Sequence, residues 1–124
     1  MTVRGIRGAT TADANTCEAI LDATRELLTA IVRANDLRVP EIASVLFTMT
    51  FDLNAVFPAR AARDLGWTNV ALLDAQAPKV DGDLPRCIRV LIHWNTERAA
   101  TEIRHVYLRE AQKLRPDHAA ESKP

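Results

Sequence analysis

Cys87-Ile88-Arg89-Val90-Leu91-Ile92-His93-Trp94 is the stretch from which the fold is read. Ile88, Val90 and Ile92 alternate with Cys87, Arg89, Leu91 and His93. That is the two-residue period of a strand with two unlike faces. Working backwards, 76–86 holds prolines, a glycine and several charges and reads as a mobile surface loop. Asn69 to Leu73 reads as a strand. Ala59 to Leu65 is a short helix that Pro58 starts and Gly66 stops. Ala43 to Phe51, rich in Val, Leu, Phe and Thr, is a buried strand, broken by Asp52-Leu53-Asn54 and preceded by a short helical turn at Pro40.

The helix signal is strongest further upstream. Ile20, Leu21, Thr24, Leu27, Leu28, Ile31 and Val32 fall on one stripe, with Asp22, Arg25, Glu26 and Arg33 off it. The spacing predicts an amphipathic helix over 16–34, ended by Asn35-Asp36. Asn15 and Glu18 have capping-box spacing. Thr2 to Ala9 is β-compatible, and 10–15 reads as a polar turn. Downstream, 101–114 is ambiguous: Ile103, Val106 and Tyr107 fit a helical turn, and Ala111 to Leu114 a strand. Strands interleaved with helices predict a single mixed α/β domain over 1–117, followed by a fraying tail over 118–124.

Composition narrows the function. The 124 residues carry 16 Lys+Arg and 16 Asp+Glu, and 48% are apolar. Such a chain buries roughly two-thirds of its unfolded surface. It is not a disordered chain, and without a basic excess it is not expected to bind nucleic acid. The longest uncharged run, Ile42 to Phe51, falls well short of the roughly 20 residues of a membrane span. Met1-Thr2-Val3-Arg4-Gly5-Ile6-Arg7 is not the start of a signal peptide. Cys17 and Cys87 form no CxxC, which fits a reduced, cytoplasmic protein.

No nucleophile elbow, Walker loop or dinucleotide-binding motif is present. His93, His105 and His118 lack zinc-site spacing, so no metal or cofactor is expected. Gly5 and Gly8 with Arg4 and Arg7 are a weak phosphate-loop signal, since no helix follows directly. What remains is arginine in or beside apolar structure: Arg7 at the end of the first strand, Arg89 inside the most apolar one, and Arg60 and Arg63 one turn apart behind Phe57-Pro58. A guanidinium in such surroundings is costly to bury unless an anion meets it. Two readings stand at this level: ion pairs with the chain's own acids, or a site for a small polyanion.

Five blocks resemble one family. Arg4-Gly5-Ile6-Arg7-Gly8-Ala9-Thr10-Thr11, Asp52-Leu53-Asn54-Ala55-Val56-Phe57-Pro58-Ala59-Arg60, Cys87-Ile88-Arg89-Val90, Arg104-His105-Val106-Tyr107-Leu108 and Leu114-Arg115-Pro116-Asp117 are similar to the trimeric α/β-type monofunctional chorismate mutases, the AroH class. They occur in order and span nearly the whole chain. The resemblance implies rearrangement of chorismate to prephenate, a step towards phenylalanine and tyrosine that needs no cofactor. It also implies a homotrimeric pseudo-α/β-barrel with active sites between subunits.

The resemblance also implies roles. Arg89 falls where the family's key cation meets the ether oxygen. Arg7 matches a carboxylate-binding arginine, and Tyr107 a tyrosine whose hydroxyl meets a substrate carboxylate. Arg60 and Arg63 match basic positions at the pocket mouth. Phe57 and Leu114 match apolar wall positions, Leu73 is a further substrate-binding candidate, and Arg115 matches a tail arginine. The family's glutamate falls at Ala77, which carries no charge. Asp74, three residues earlier, is expected to supply the missing carboxylate. In the family, the positions of Arg7, Asp74, Arg89 and Tyr107 come from one subunit, and those of Phe57, Arg60 and Arg63 largely from its neighbour. Two rivals carry other functions: a non-catalytic chorismate- or dicarboxylate-binding regulatory homologue, and a trimeric imine deaminase with an arginine–carboxylate pocket.

Overall fold

In a computed structural model, which describes residues 2–115, the apolar patterning resolves into one five-stranded mixed sheet with its helices on one side. The elements run β1 (Val3–Thr11), α1 (Cys17–Asn35), β2 (Ile42–Met49), α2 (Ala59–Asp64), β3 (Ala71–Gln76), β4 (Cys87–Asn95) and β5 (Val106–Tyr107). Short 3-10 turns occupy Val39–Glu41, Ala100–Glu102 and Arg109–Leu114. Strand order is β3-β2-β4-β1-β5. β4 is antiparallel to both its neighbours, β1 and β2, whereas the β2–β3 and β1–β5 pairs are parallel.

Alternation along the strands divides the residues between two faces. Ile6 on β1, Val45 and Phe47 on β2, and Val90, Ile92 and Trp94 on β4 join Leu27, Leu28 and Ile31 of α1 in the main core. Each fully buried Leu or Ile side chain there contributes about 1.5–3 kcal/mol. On the other face lie Leu46, Arg89, Leu91 and His93, all half-buried, and the exposed Arg7 and Leu73. Among the described residues no helix covers this open face apart from the 3-10 turn at Arg109–Leu114, which packs across one end of β1.

Several boundaries differ from the sequence reading. β1 continues through Thr10 and Thr11, because both side chains are buried and both residues pair with β4. Thr16 caps α1, its hydroxyl accepting from the Ala19 N–H at 3.1 Å. Asn15 instead accepts from the Asn54 and Ala55 N–H groups and so ties the turn to the segment before α2. β3 lies later than expected, at Ala71–Gln76. The assignments within 101–114 are reversed: Val106–Tyr107 is the strand, paired to Gly8 and Ala9, and Arg109–Leu114 is helical. Loop 77–86 is fastened at both ends. The Ala77 N–H donates to the Met49 carbonyl, and the Arg86 N–H to Asp52. The 118–124 tail lies outside the described residues.

Candidate functional site

Arg7 and Arg89 reach the same face because of register. Ala9 pairs with Arg89 and Arg7 with Leu91 across the antiparallel β1–β4 ladder. Tyr107 pairs with Ala9 in the parallel β1–β5 ladder, so its side chain lies on that face too. The turn after β5 brings in Leu114 and Arg115. These five residues, with Gly8, Ala9 and Val90, line a cavity of about 270 Å³.

Other contacts hold this cavity in shape. The Arg7 N–H donates to His105 Nδ1 at 3.0 Å, which fixes the first strand where its guanidinium departs. Ala9, Cys87, Tyr107 and Ala111 form a small buried cluster beneath it, with Leu84 and Leu114 packed on top. Burial pushes the Cys87 thiol up to about 11, against the lowering influence of nearby Arg89. Arg109 takes a left-handed backbone conformation with φ 52° and anchors the turn. Its guanidinium donates to Glu26 Oε1 and to the Thr11 carbonyl, both at 3.2 Å.

A second group of candidates lies at the other edge of the sheet. Phe57, 65% exposed, and Asp74 line a hollow of about 500 Å³ with Met49, Leu53 and Val56. Asp74 pairs in register with the core residue Phe47 and so points to the helix-bearing face. Its Oδ1 accepts from the Ala59 N–H at 3.0 Å, the start of α2. Burial raises its pKa above the usual carboxylate value, opposed by that hydrogen bond and by Arg63. Arg60 and Arg63 are exposed on α2, and Arg60 Nη1 lies 3.8 Å from Cys17 Sγ. Leu73, also 65% exposed, points to the open face, towards neither hollow.

Within one protomer, therefore, Asp74 does not join Arg89. The expectation that both belong to one subunit's half of the site fails on strand alternation. Asp74 is in register with Phe47, whereas Arg89 is in register with Thr48 on the opposite face. The carboxylate that does meet Arg89 is Asp83, at 3.1 Å from Nη2. Asp83 carries no sequence signal, because it is one of two acids, with Asp81, in a Pro- and Gly-containing loop without periodicity. Among the described residues no cluster of His, Cys, Asp and Glu could hold a metal ion.

Comparison with known proteins gives consistent matches. The family model for chorismate mutase type I matches residues 3–118. The chain is 54% identical over 116 residues to chorismate mutase AroH of Thermus thermophilus, covering 93% of this chain and 95% of that one. It is 44% identical over 118 residues to chorismate mutase AroH of Bacillus subtilis, covering 94% and 93%. Among solved structures, a chorismate mutase from Clostridium thermocellum superposes with a TM-score of 0.87 at 44% identity, covering 89% of this chain and 98% of that one.

Proposed function

The chain belongs to the chorismate mutase type I family, and on that premise we propose how its own side chains carry the reaction. It is a chorismate mutase, an isomerase that converts chorismate to prephenate. The rearrangement breaks an ether C–O bond as a C–C bond forms, within one molecule and without proton transfer or cofactor. Two tasks fall to the protein: holding the enolpyruvyl arm over the ring, and stabilising the negative charge that grows on the ether oxygen.

The observation that carries the assignment of roles is the convergence of Arg7, Arg89, Tyr107, Leu114 and Arg115 on one cavity. Chorismate is a dicarboxylate, and a guanidinium offers a planar fork of donors to a carboxylate. Arg89 donates to the ether oxygen, and its place in a central strand fixes the direction in which its side chain leaves the sheet. Arg7 and the Tyr107 hydroxyl bind carboxylate, Leu114 forms an apolar wall, and Arg115 covers the mouth.

The remaining candidates complete the site from a second copy. Phe57, Asp74, Arg60 and Arg63 are absent from the lining of the cavity that holds Arg7 and Arg89 in the same chain. A homotrimer with the site between subunits brings one protomer's Arg7–Arg89 half against its neighbour's Phe57–Asp74 half. In that arrangement Asp74 supplies its carboxylate across the interface. The exposed Phe57, Leu73 and Val3 and the uncovered sheet face supply apolar surface for such contacts. The two free cysteines suit a reducing cytoplasm, and no helix among the described residues is long and apolar enough to cross a membrane.

The test is direct. Purified protein added to chorismate should abolish chorismate's ultraviolet absorption as prephenate forms. Sedimentation equilibrium on the same sample should give three times the chain mass. Binding of chorismate without loss of absorption would favour the non-catalytic regulatory homologue instead.

A further inference from the structure

Arg89 borders two hollows on the open face. One is the 270 Å³ cavity with Arg7 and Tyr107. The other, of about 560 Å³, lies under loop 77–86 and is lined by Thr48, Gln76, Ala77, Val80 and Asp83 among others. Arg89 is the residue common to both linings. A long side chain at such a boundary can turn either way, and its strand fixes only the Cα–Cβ direction. Something further along the side chain has to set the plane of the guanidinium.

Asp83 is built to do this. Its Oδ1 accepts from Arg89 Nη2 at 3.1 Å and from the Leu84 N–H at 2.8 Å. The Asp83 N–H donates to the Val80 carbonyl, closing a turn through Gly82, whose φ of 82° a side chain would resist. Leu84 packs onto Ala9, Cys87, Tyr107 and Ala111, the cluster beneath the arginine cavity. Asp83 is thus held by its own turn on one side and by the floor of the site on the other. Its side chain is 23% exposed and that of Arg89 35%. A pair this open to solvent adds little stability, so its consequence is orientation.

We propose that Asp83 is the positioning residue for Arg89, holding one Nη2 hydrogen so that the remaining guanidinium donors are presented, already oriented, to the ether oxygen. The proposal deepens the reading of Arg89 as the reaction's cation and rests on it. Asp83 touches no reacting atom, and no bond to it forms or breaks. Its contribution is the rotational freedom that Arg89 does not have to lose as the transition state forms.

Steady-state kinetics on the full chain test this with Asp83→Ala and Asp83→Asn. Asp83→Ala should lower kcat about tenfold with KM changed less than twofold. Asp83→Asn keeps an acceptor at Oδ1 and should recover most of that loss. In an Arg89→Lys background, which lacks the fork, Asp83→Ala should have no further effect on kcat. Unchanged or raised kcat in Asp83→Ala overturns the proposal, as does Asp83→Asn being as slow as Asp83→Ala. If Asp83→Ala fails to fold, the Asp83→Asn rate in the wild-type background decides: a tenfold loss overturns the proposal and a near-normal rate supports it. A wild-type chain without turnover overturns the mutase reading and the proposal with it. Wild-type turnover with an indifferent Asp83→Ala removes Asp83's role alone.

Discussion

Arg7 and Arg89 are diagonal neighbours on one face of the β1–β4 ladder: Arg7 pairs with Leu91, Arg89 with Ala9. Diagonal positions stand about 7–8 Å apart, close enough for two guanidinium groups to share one dianion. Two like charges so placed repel each other, and each salt-bridged acid in the surroundings offsets only part of that. A bound dicarboxylate resolves the repulsion. Under the proposed binding role, the same pair of cations would be an electrostatic cost without substrate and a source of affinity with it.

Replacing Arg89 by lysine keeps the charge and removes the fork. We expect kcat to fall at least ~100-fold, since one well-placed donor to a developing oxyanion is worth about that much. Loss of chorismate absorbance measures it. A thermal melt should show the fold intact, because Arg89 is half-buried and its ion pair is open to solvent.

Asp74 couples the stability of the fold to pH. Burial is the main influence and raises its pKa above the usual carboxylate value, while the Ala59 N–H and Arg63 act in the opposite direction. The folded protein therefore binds the proton more tightly than the unfolded chain does. Stability is lost as pH rises from the unfolded value through the raised folded one. Asp74→Asn removes this titration and can still accept from the Ala59 N–H. Its melting temperature should fall less than that of wild type as pH rises from about 4 towards neutrality. Turnover should drop in the same variant if Asp74 serves the neighbouring subunit's site. Normal turnover with the altered pH profile would leave Asp74 as the acceptor that starts α2.

Gly8 lies between Arg7 and Ala9 with its α-carbon against α1. A Cβ there would come within 2.7 Å of Ile31 Cδ1, 3.1 Å of Val90 Cγ1 and 3.2 Å of Leu27 Cδ1. Gly8→Ala should destabilise the chain by about 1–3 kcal/mol, the usual cost of overpacking. Urea denaturation monitored by tryptophan fluorescence measures it. Gly5 offers a contrast: its nearest contact, Leu91 Cδ1, is an ordinary 3.4 Å away. Gly5→Ala should be much better tolerated.

The cysteines should separate chemically. Cys87 is buried, with its thiol pushed up to about 11, and Cys17 is exposed at the start of α1. Since the thiolate is the nucleophile, iodoacetamide at pH 8 should alkylate Cys17 in the native protein. Cys87 should react only after denaturation. Peptide mass mapping distinguishes the two.

Which segments bury, and on which period, was legible in residue spacing alone. The helix predicted over 16–34 became α1 within a residue at each end, and the alternation at 87–94 became the strand that joins both halves of the sheet. Those signals survive because burial of a face is written locally, in every second or every third and fourth residue. The blocks around Arg7, Phe57, Arg89 and Tyr107 likewise identified the family. Tertiary structure decided what local pattern does not encode. Strand register alone placed Asp74 behind the sheet and Arg89 in front of it, since a one-residue shift reverses a side chain's face. A loop turn brought Asp83 to Arg89, a contact between residues whose separation in sequence says nothing of their orientation. The 3-10 turn at Arg109–Leu114 formed where a strand was a candidate, because long-range anchors on Glu26 and Thr11 outweigh the preference of a short ambiguous segment.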